Sequence, residues 1–130
     1  MKFTICTKRN QKLHGCLNWK KVITTDKLYT VIRAREGKKL AGQLAIDLSD
    51  KDAAWIYWLV VNPQVRGKGT GTKLMQRAEE FIASKNIHKI YLHAQKENED
   101  MLVPWYESLG YEKLFRDKEN KDEWLFLKEF

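Results

Sequence analysis

The most informative part of this 130-residue chain is the stretch Leu59-Val60-Val61-Asn62-Pro63-Gln64-Val65-Arg66-Gly67-Lys68-Gly69-Thr70-Gly71-Thr72. It passes from apolar, β-branched residues typical of a buried strand, through proline and glycine, into residues with helical periodicity. The first N–H groups of a helix lack partners within the helix and favour an anion. Glycines let the backbone approach a phosphate closely, and Arg66 and Lys68 add positive charge. The stretch therefore predicts a diphosphate-binding turn between a strand and a helix.

Two common phosphate-binding motifs do not fit the glycine spacing. A Walker loop needs a glycine, four residues and then Gly-Lys-Ser/Thr, whereas Gly71 is followed by Thr72. The dinucleotide motif Gly-x-Gly-x-x-Gly also fails, because the three glycines recur at every second residue. An ordinary strand-to-helix turn is the alternative interpretation, but the adjacent cations and the preceding buried strand favour a binding loop.

Periodicity on both sides of this stretch predicts alternating strands and helices. Strands are expected at 2–6, 29–35, 40–48, 54–62, 90–94, 111–115 and 124–127, and helices at 70–85 and 102–109. Residues 8–20 have no clear period, and 116–123 resembles a solvated charged loop. Strand 54–62 has apolar residues at both its odd and its even positions, which predicts cover on both faces, with Trp55 and Trp58 on opposite sides. A helix between two strands indicates a right-handed crossover and parallel strands.

Composition predicts one folded domain spanning 1–130. The chain is 43% hydrophobic, 12% aromatic and 32% charged, which excludes disordered, collagenous and membrane-embedded classes. It contains no apolar run of about 18–20 residues and no secretory signal pattern, so we expect a cytoplasmic protein with no membrane partner. Cys6 and Cys16 are too few for a disulfide framework or a metal cluster, and we expect two reduced thiols and no metal.

The net charge of +7 is concentrated near the N-terminus. Residues 1–40 hold eleven Lys and Arg against Asp26 and Glu36, a balance of +9. This asymmetry predicts an anionic partner, either nucleic acid or a smaller molecule carrying phosphate or carboxylate. The alternative interpretation is a solubilising surface, because the lysines are scattered.

The segment Arg66-Gly67-Lys68-Gly69-Thr70-Gly71 resembles the Gln/Arg-x-x-Gly-x-Gly/Ala signature of the GCN5-related N-acetyltransferase (GNAT) superfamily. Leu40-Ala41-Gly42-Gln43 resembles its third strand, Leu59-Val60-Val61 its splayed fourth strand, and Trp105-Tyr106-Glu107-Ser108-Leu109-Gly110-Tyr111 its Tyr-x-x-x-Gly-Phe/Tyr segment. The resemblance covers about residues 27–130. It implies an α/β (α+β) fold: one domain with a mixed, strongly twisted sheet, helices on both faces and a shortened N-terminal helical region.

The resemblance also implies an acetyl-CoA-dependent N-acetyltransferase. Acetyl-CoA would lie where the fourth and fifth strands diverge, and a primary amine of a small molecule or peptide would attack its thioester. The main-chain N–H near Val61 would polarise the thioester carbonyl, and Tyr106 would be the general acid. Relatives often form homodimers. The cofactor-binding residues implied are Leu59, Val60, Val61, Arg66, Gly67, Lys68, Gly69, Thr70, Gly71, Thr72 and Asn98.

Two departures from the family pattern leave alternatives open. Many relatives carry a glutamate in the fourth strand, where this chain has Trp55-Ile56-Tyr57-Trp58, so His93 and Asp47 are only candidates for the general base. Only about twenty residues stand where relatives insert two helices between the first two strands. Tyr106 also fits an ordinary core position. The competing functions are a nucleic-acid-associated or regulatory module and a catalytically silent acyl-CoA sensor.

Overall fold

The computed structural model describes residues 1–15, 19–65 and 67–130. The predicted sites at Cys16 and Arg66 lie outside the described residues. Two α-helices, α1 (Thr70–Ser84) and α2 (Glu99–Ser108), are assigned in this part of the chain. The strands are β1 (Lys2–Lys8), β2 (Gln11–His14), β3 (Val22–Thr25), β4 (Tyr29–Glu36), β5 (Lys39–Asp47), β6 (Ala54–Val61), β7 (Lys89–Ala94), β8 (Glu112–Asp117) and β9 (Glu123–Glu129).

Seven strands form one mixed sheet in the order β1-β4-β5-β6-β7-β9-β8. The neighbours β6 and β7 are parallel, because α1 crosses over between them, and the other neighbouring strands are antiparallel. The mixed α/β sheet and the parallel pair predicted from the sequence are therefore confirmed. No helix in the described residues is long and apolar enough to cross a membrane.

Both helices pack on the same face of the sheet. Leu74, Met75 and Ala78 of α1 and Tyr106 of α2 belong to one buried apolar cluster with the inward residues of the central strands. The expectation of helices on both faces is therefore corrected for the described chain. The physical reason lies in the N-terminal segment, where β-branched residues such as Val22 and Ile23 favour strand over helix.

The opposite face is covered in part by the β2–β3 hairpin. Leu13 of the hairpin is fully buried in a second cluster with Tyr29, Val31 and Ala45. Gln11 anchors the hairpin, since its buried amide donates to the carbonyl of Tyr29 at 2.9 Å. Strand β2 of this pair thus lies within 8–20, the segment without a clear period.

A bulge in β6 reorients the side chains of its second half. Trp58 has a φ of 58°, and the register shift places two β6 residues, Trp58 and Leu59, opposite Leu44 of β5. Trp58 consequently joins Tyr57 against the hairpin cluster. The prediction that Trp55 and Trp58 face opposite sides is wrong, because strict alternation assumes a strand without a bulge. Trp55 stacks on Tyr57, with the ring centres 6.3 Å apart.

Candidate active site

The two central parallel strands separate soon after they pair. β6 and β7 are in register at only three positions, from Ala54 opposite Ile90 to Ile56 opposite Leu92. Beyond Ile56, β6 loses its neighbour on one side. The N–H of Asn62 donates to Ala41 on the β5 side at 2.8 Å. Because successive N–H groups of a strand point to opposite sides, the N–H of Val61 points into the gap.

A cavity of about 820 Å³ occupies this gap. It extends from the start of α1, past the free edge of β6 and the inner side of α2, to the ends of β5, β7 and β9. Twelve of the residues predicted from the sequence line it: Asp47, Leu59, Val60, Val61, Gly67, Gly69, Thr70, Gly71, Thr72, His93, Asn98 and Tyr106.

One end of the cavity is built by the glycine turn and the first turn of α1. Gly67 and Gly69 have φ angles of 89° and 69°, which L-residues with side chains rarely adopt. An added Cβ at either glycine would meet nothing within 4 Å, so the backbone faces open space. Gly69 is the N-cap of α1 and supplies no capping side chain, which leaves the first N–H groups available to a ligand.

Thr70 provides a second indication of an anion site at this end. Its side chain is 3% exposed, and its Oγ1 is a buried polar atom with no hydrogen-bond partner among the described residues. Leaving a buried hydroxyl unpaired costs about 1–3 kcal/mol, so such groups are normally satisfied. A hydroxyl beside free helix N–H groups suits a phosphoryl oxygen, and the residues present therefore fit a diphosphate.

Lys68 does not join the cavity wall. Its ammonium lies 4.0 Å from the Glu36 carboxylate, and its side chain is 55% exposed. The exposed lysine contributes positive potential near the helix N-terminus.

Two further glycines allow α1 to approach the sheet and α2. An added Cβ on Gly42 of β5 would lie 3.0 Å from both Leu74 Cδ1 and the Val60 carbonyl oxygen. An added Cβ on Gly71 would lie 3.3 Å from the Trp105 ring. Glycine at these positions lets the helix N-terminus sit against the free edge of β6.

The middle of the cavity is bordered by α2. Tyr106 is 5% exposed and packs against Trp105, Tyr111 and Phe126, with ring centres 5.3, 6.2 and 5.4 Å away. The Tyr106 ring belongs to the core, and the residue also lines the cavity. Its role as a general acid stays a prediction. Asn98, the N-cap of α2, lines the same region and makes no side-chain capping bond.

The other end of the cavity contains an acid–base pair. Nε2 of His93 lies 3.0 Å from Oδ2 of Asp117, and the His93 side chain is only 8% exposed. A carboxylate accepts hydrogen bonds, so it holds the His93 proton on Nε2 and leaves Nδ1 as an acceptor. Nδ1 of His93 has no hydrogen-bond partner among the described residues. The only fully buried side-chain polar atom without a partner in that part of the chain is Thr70 Oγ1, so Nδ1 of His93 is not fully buried and is accessible.

Sequence reasoning missed Asp117 and Glu123 because it took 116–123 as a solvated loop. β8 instead extends to Asp117 and β9 begins at Glu123. Glu123 lines the cavity, and burial raises the pKa of its carboxyl, although His93 and Lys121 oppose that shift. No local sequence motif indicates that Asp117 and Glu123 lie at the site, because the pairing of three strands brings them there.

The chain is similar in sequence and in structure to known acetyltransferases. The sequence profile described as "Acetyltransferase (GNAT) family" matches residues 5–111. An acetyltransferase from Streptococcus agalactiae is similar in structure, with a TM-score of 0.68 at 22% identity, covering 78% of this chain and 67% of that one.

Two other similar structures contain a coenzyme. A GNAT acetyltransferase from Elizabethkingia anophelis with acetyl-CoA bound gives a TM-score of 0.67 at 14% identity, covering 78% of this chain and 76% of that one. The PaiA N-acetyltransferase of Thermoplasma acidophilum in complex with coenzyme A gives 0.66 at 19% identity, covering 77% and 60%. At these identities the structures show the fold, and the profile match shows the family. The chain belongs to the acetyltransferase (GNAT) family.

Proposed function

We propose that this protein transfers the acetyl group of acetyl-CoA to a primary amine of a small molecule or peptide. The observation that carries the proposal is that one cavity joins the glycine turn, the free edge of β6, Tyr106 and His93. These are an anion-binding end, a backbone edge and two groups that can exchange protons.

The glycine turn would hold the diphosphate of acetyl-CoA. The N–H groups at the start of α1 and the Thr70 hydroxyl are its donors, and Gly67 and Gly69 leave room for the phosphoryl oxygens. The amide-containing arm of acetyl-CoA would extend along Leu59–Val61, whose edge has no strand partner beyond Ile56. Backbone hydrogen bonding of this kind resembles the addition of a strand to a sheet.

The Val61 N–H would stabilise negative charge on the thioester oxygen. It points into the gap, as the hydrogen bond of Asn62 to β5 requires. Loss of one donor of this kind typically reduces a rate by about 10²–10³-fold. A backbone donor also needs no side chain, so strand residues as apolar as Leu59–Val61 can perform this function.

His93 would accept the proton that the amine loses. The amine nitrogen forms a bond to the acetyl carbon, the carbon–sulfur bond breaks, and the sulfur leaves with its electron pair. Nδ1 of His93 is accessible, and Asp117 stabilises the imidazolium through the proton on Nε2. Asp117 is thus a positioning residue that fixes the tautomer His93 needs.

Tyr106 would return a proton to the departing thiolate. Its ring is locked by three aromatic neighbours, so its hydroxyl is held by a rigid support. Tyr106 and His93 line the same cavity, which allows one group to donate a proton and the other to accept one. A positioned general acid contributes about 10²–10⁴-fold.

Thermal stabilisation by acetyl-CoA, followed by thiol release with a panel of amines at several pH values, tests this function. We expect saturable stabilisation and amine-dependent release of CoA thiol. Stabilisation without thiol release from any amine would contradict catalysis and indicate an acyl-CoA sensor. Absence of both in folded protein would reject the cavity as a CoA site.

A further inference from the structure

The end of the cavity remote from the glycine turn has its own chemical character. Its charged and titratable groups come from five places in the chain: the segment before β4, β5, β7, the β8–β9 turn and the start of β9. Besides the tyrosines, they are Lys27, Asp47, His93, Lys121 and Glu123.

The two carboxylates belong to the wall, whereas the two lysines are exposed. Asp47 and Glu123 are partly buried at the ends of their strands, and Lys27 and Lys121 are exposed side chains. A long, exposed lysine can turn its ammonium into water, whereas a carboxylate on a strand end stays in place. The two carboxylates are therefore the less mobile charges of this end, and Lys121 offsets part of the charge of Glu123.

Asp47 has one oxygen available for a ligand. Its Oδ1 accepts the Ser49 N–H at 2.9 Å, and no partner of Oδ2 is found among the described residues. Burial raises the pKa of the Tyr57 hydroxyl, and the negative charge of Asp47 raises it further. The negative potential of Asp47 therefore extends to Tyr57.

Aromatic rings complete this end of the cavity. Tyr29 and Tyr57 meet edge to face, with centres 6.3 Å apart, and both line the cavity with Trp58. Aromatic faces attract cations, and a carboxylate beside them strengthens that preference. This combination suits an ammonium group and disfavours a carboxylate or phosphate.

Resting on the proposed function, we propose that the acceptor is a cationic amine with a second positive charge, recognised by Asp47, Glu123 and the rings of Tyr29, Tyr57 and Trp58. One amine nitrogen loses its proton and reacts, and the other remains an ammonium. The basic N-terminal third predicts instead an anionic partner. Of its eleven Lys and Arg residues, all of them in the described part of the chain, only Lys27 lines the cavity.

Three amines of equal chain length test the proposal: 1,4-diaminobutane, 1-aminobutane and 4-aminobutyrate. We expect kcat/KM for thiol release to be about tenfold higher for the diamine than for the monoamine, and lowest for aminobutyrate. Asp47→Asn should lower kcat/KM for the diamine about tenfold more than it lowers kcat/KM for the monoamine. Asp52→Asn, an exposed acidic residue in the β5–β6 loop, is the matched control.

Calorimetry of the same amines on CoA-saturated protein separates this proposal from the proposed function. Asp47-dependent binding of the diamine without thiol release would support the binding proposal and contradict catalysis. Preference for aminobutyrate in either measurement would overturn the proposal. Failure of all three amines to bind to protein that acetyl-CoA stabilises would also overturn it.

Discussion

Gly71 in the first turn of α1 lies against Trp105 of α2, so closely that a Cβ on Gly71 would be 3.3 Å from Cζ2 of the indole. Gly71 borders the diphosphate end of the cavity, and Trp105 directly precedes Tyr106. The diphosphate end of the cavity and the helix that carries Tyr106 are therefore packed against each other. Substitutions in the glycine turn should consequently also affect the position of Tyr106, the proposed proton donor.

Gly71→Val should lower the free energy of unfolding by about 1–3 kcal/mol, because the added side chain must displace the indole. It should also weaken stabilisation by acetyl-CoA. Urea unfolding with and without acetyl-CoA measures both effects. Ser84→Val places the same side chain at an exposed position of α1 and should change stability much less. Equal effects of the two variants would contradict the packing argument.

Gly69→Val should abolish thermal stabilisation by acetyl-CoA, because its side chain would fill the space open to phosphate. Gly37→Val is a closely matched control, since Gly37 also has positive φ, 61° against 69°, and nothing within 4 Å of an added Cβ. Both variants should lose about 1–2 kcal/mol from backbone strain. Stabilisation by acetyl-CoA that survives at position 69 would show that the diphosphate binds elsewhere.

Tyr106→Phe should lower kcat by about 10²-fold with little change in affinity for acetyl-CoA. The ring keeps its packing in this variant, so the protein should remain folded. Steady-state thiol release and calorimetry with CoA give the two quantities. Tyr111→Phe removes the hydroxyl of a neighbouring buried tyrosine and should leave kcat within a fewfold of wild type. Wild-type turnover of Tyr106→Phe would return Tyr106 to a purely structural role.

Asp117→Asn should reduce kcat/KM about 10–100-fold, because an amide no longer favours the His93 tautomer with its proton on Nε2. Nitrogen NMR of the imidazole should show the change in tautomer, and the pH–rate profile should shift. Asp122→Asn removes an acidic group of the same turn that pairs instead with Lys96, at 3.4 Å, and serves as the control. Loss of activity with an unchanged tautomer and pH profile would mean that Asp117 is only structural.

Tyr111 should make stability fall at alkaline pH. Burial and the Glu79 carboxylate raise the pKa of Tyr111 above its ordinary value. The Tyr111 hydroxyl donates a hydrogen bond to Glu79 Oε2 at 3.0 Å. A raised pKa in the folded state stabilises below the unfolded pKa of about 10 and loses about 1.4 kcal/mol per pH unit above it. Urea unfolding from pH 8 to 11 should show a flatter decline for Tyr111→Phe, which should be about 1 kcal/mol less stable at pH 8. Parallel profiles would contradict this assignment.

The strands and helices that position the site were predictable because they have strong local patterns. Helix 70–85 was expected from its apolar spacing and is found at Thr70–Ser84, and strand 90–94 is found at Lys89–Ala94. Glycine and cation spacing also indicated an anion-binding turn, because a helix N-terminus and positive φ are local properties of the chain.

Features that depend on distant pairing were not predictable from the same patterns. The bulge at Trp58 inverts the side-chain alternation that a regular strand would have, so the two tryptophans share a face. The β2–β3 hairpin has short strands of only four residues each, too short for a periodic signal. The contact of His93 with Asp117 arises only when β7, β9 and β8 come together in the sheet.

The separation of β6 from β7 places an unpaired strand edge in the interior of the molecule. Such edges usually occur at the borders of sheets, where they template aggregation unless the protein protects them. Here the walls of a cleft shield the edge from other chains but leave it accessible to a slender, amide-bearing molecule. A bound substrate would supply the hydrogen bonds that a neighbouring strand normally provides. Its presence during storage and refolding should therefore protect this edge from pairing with other chains.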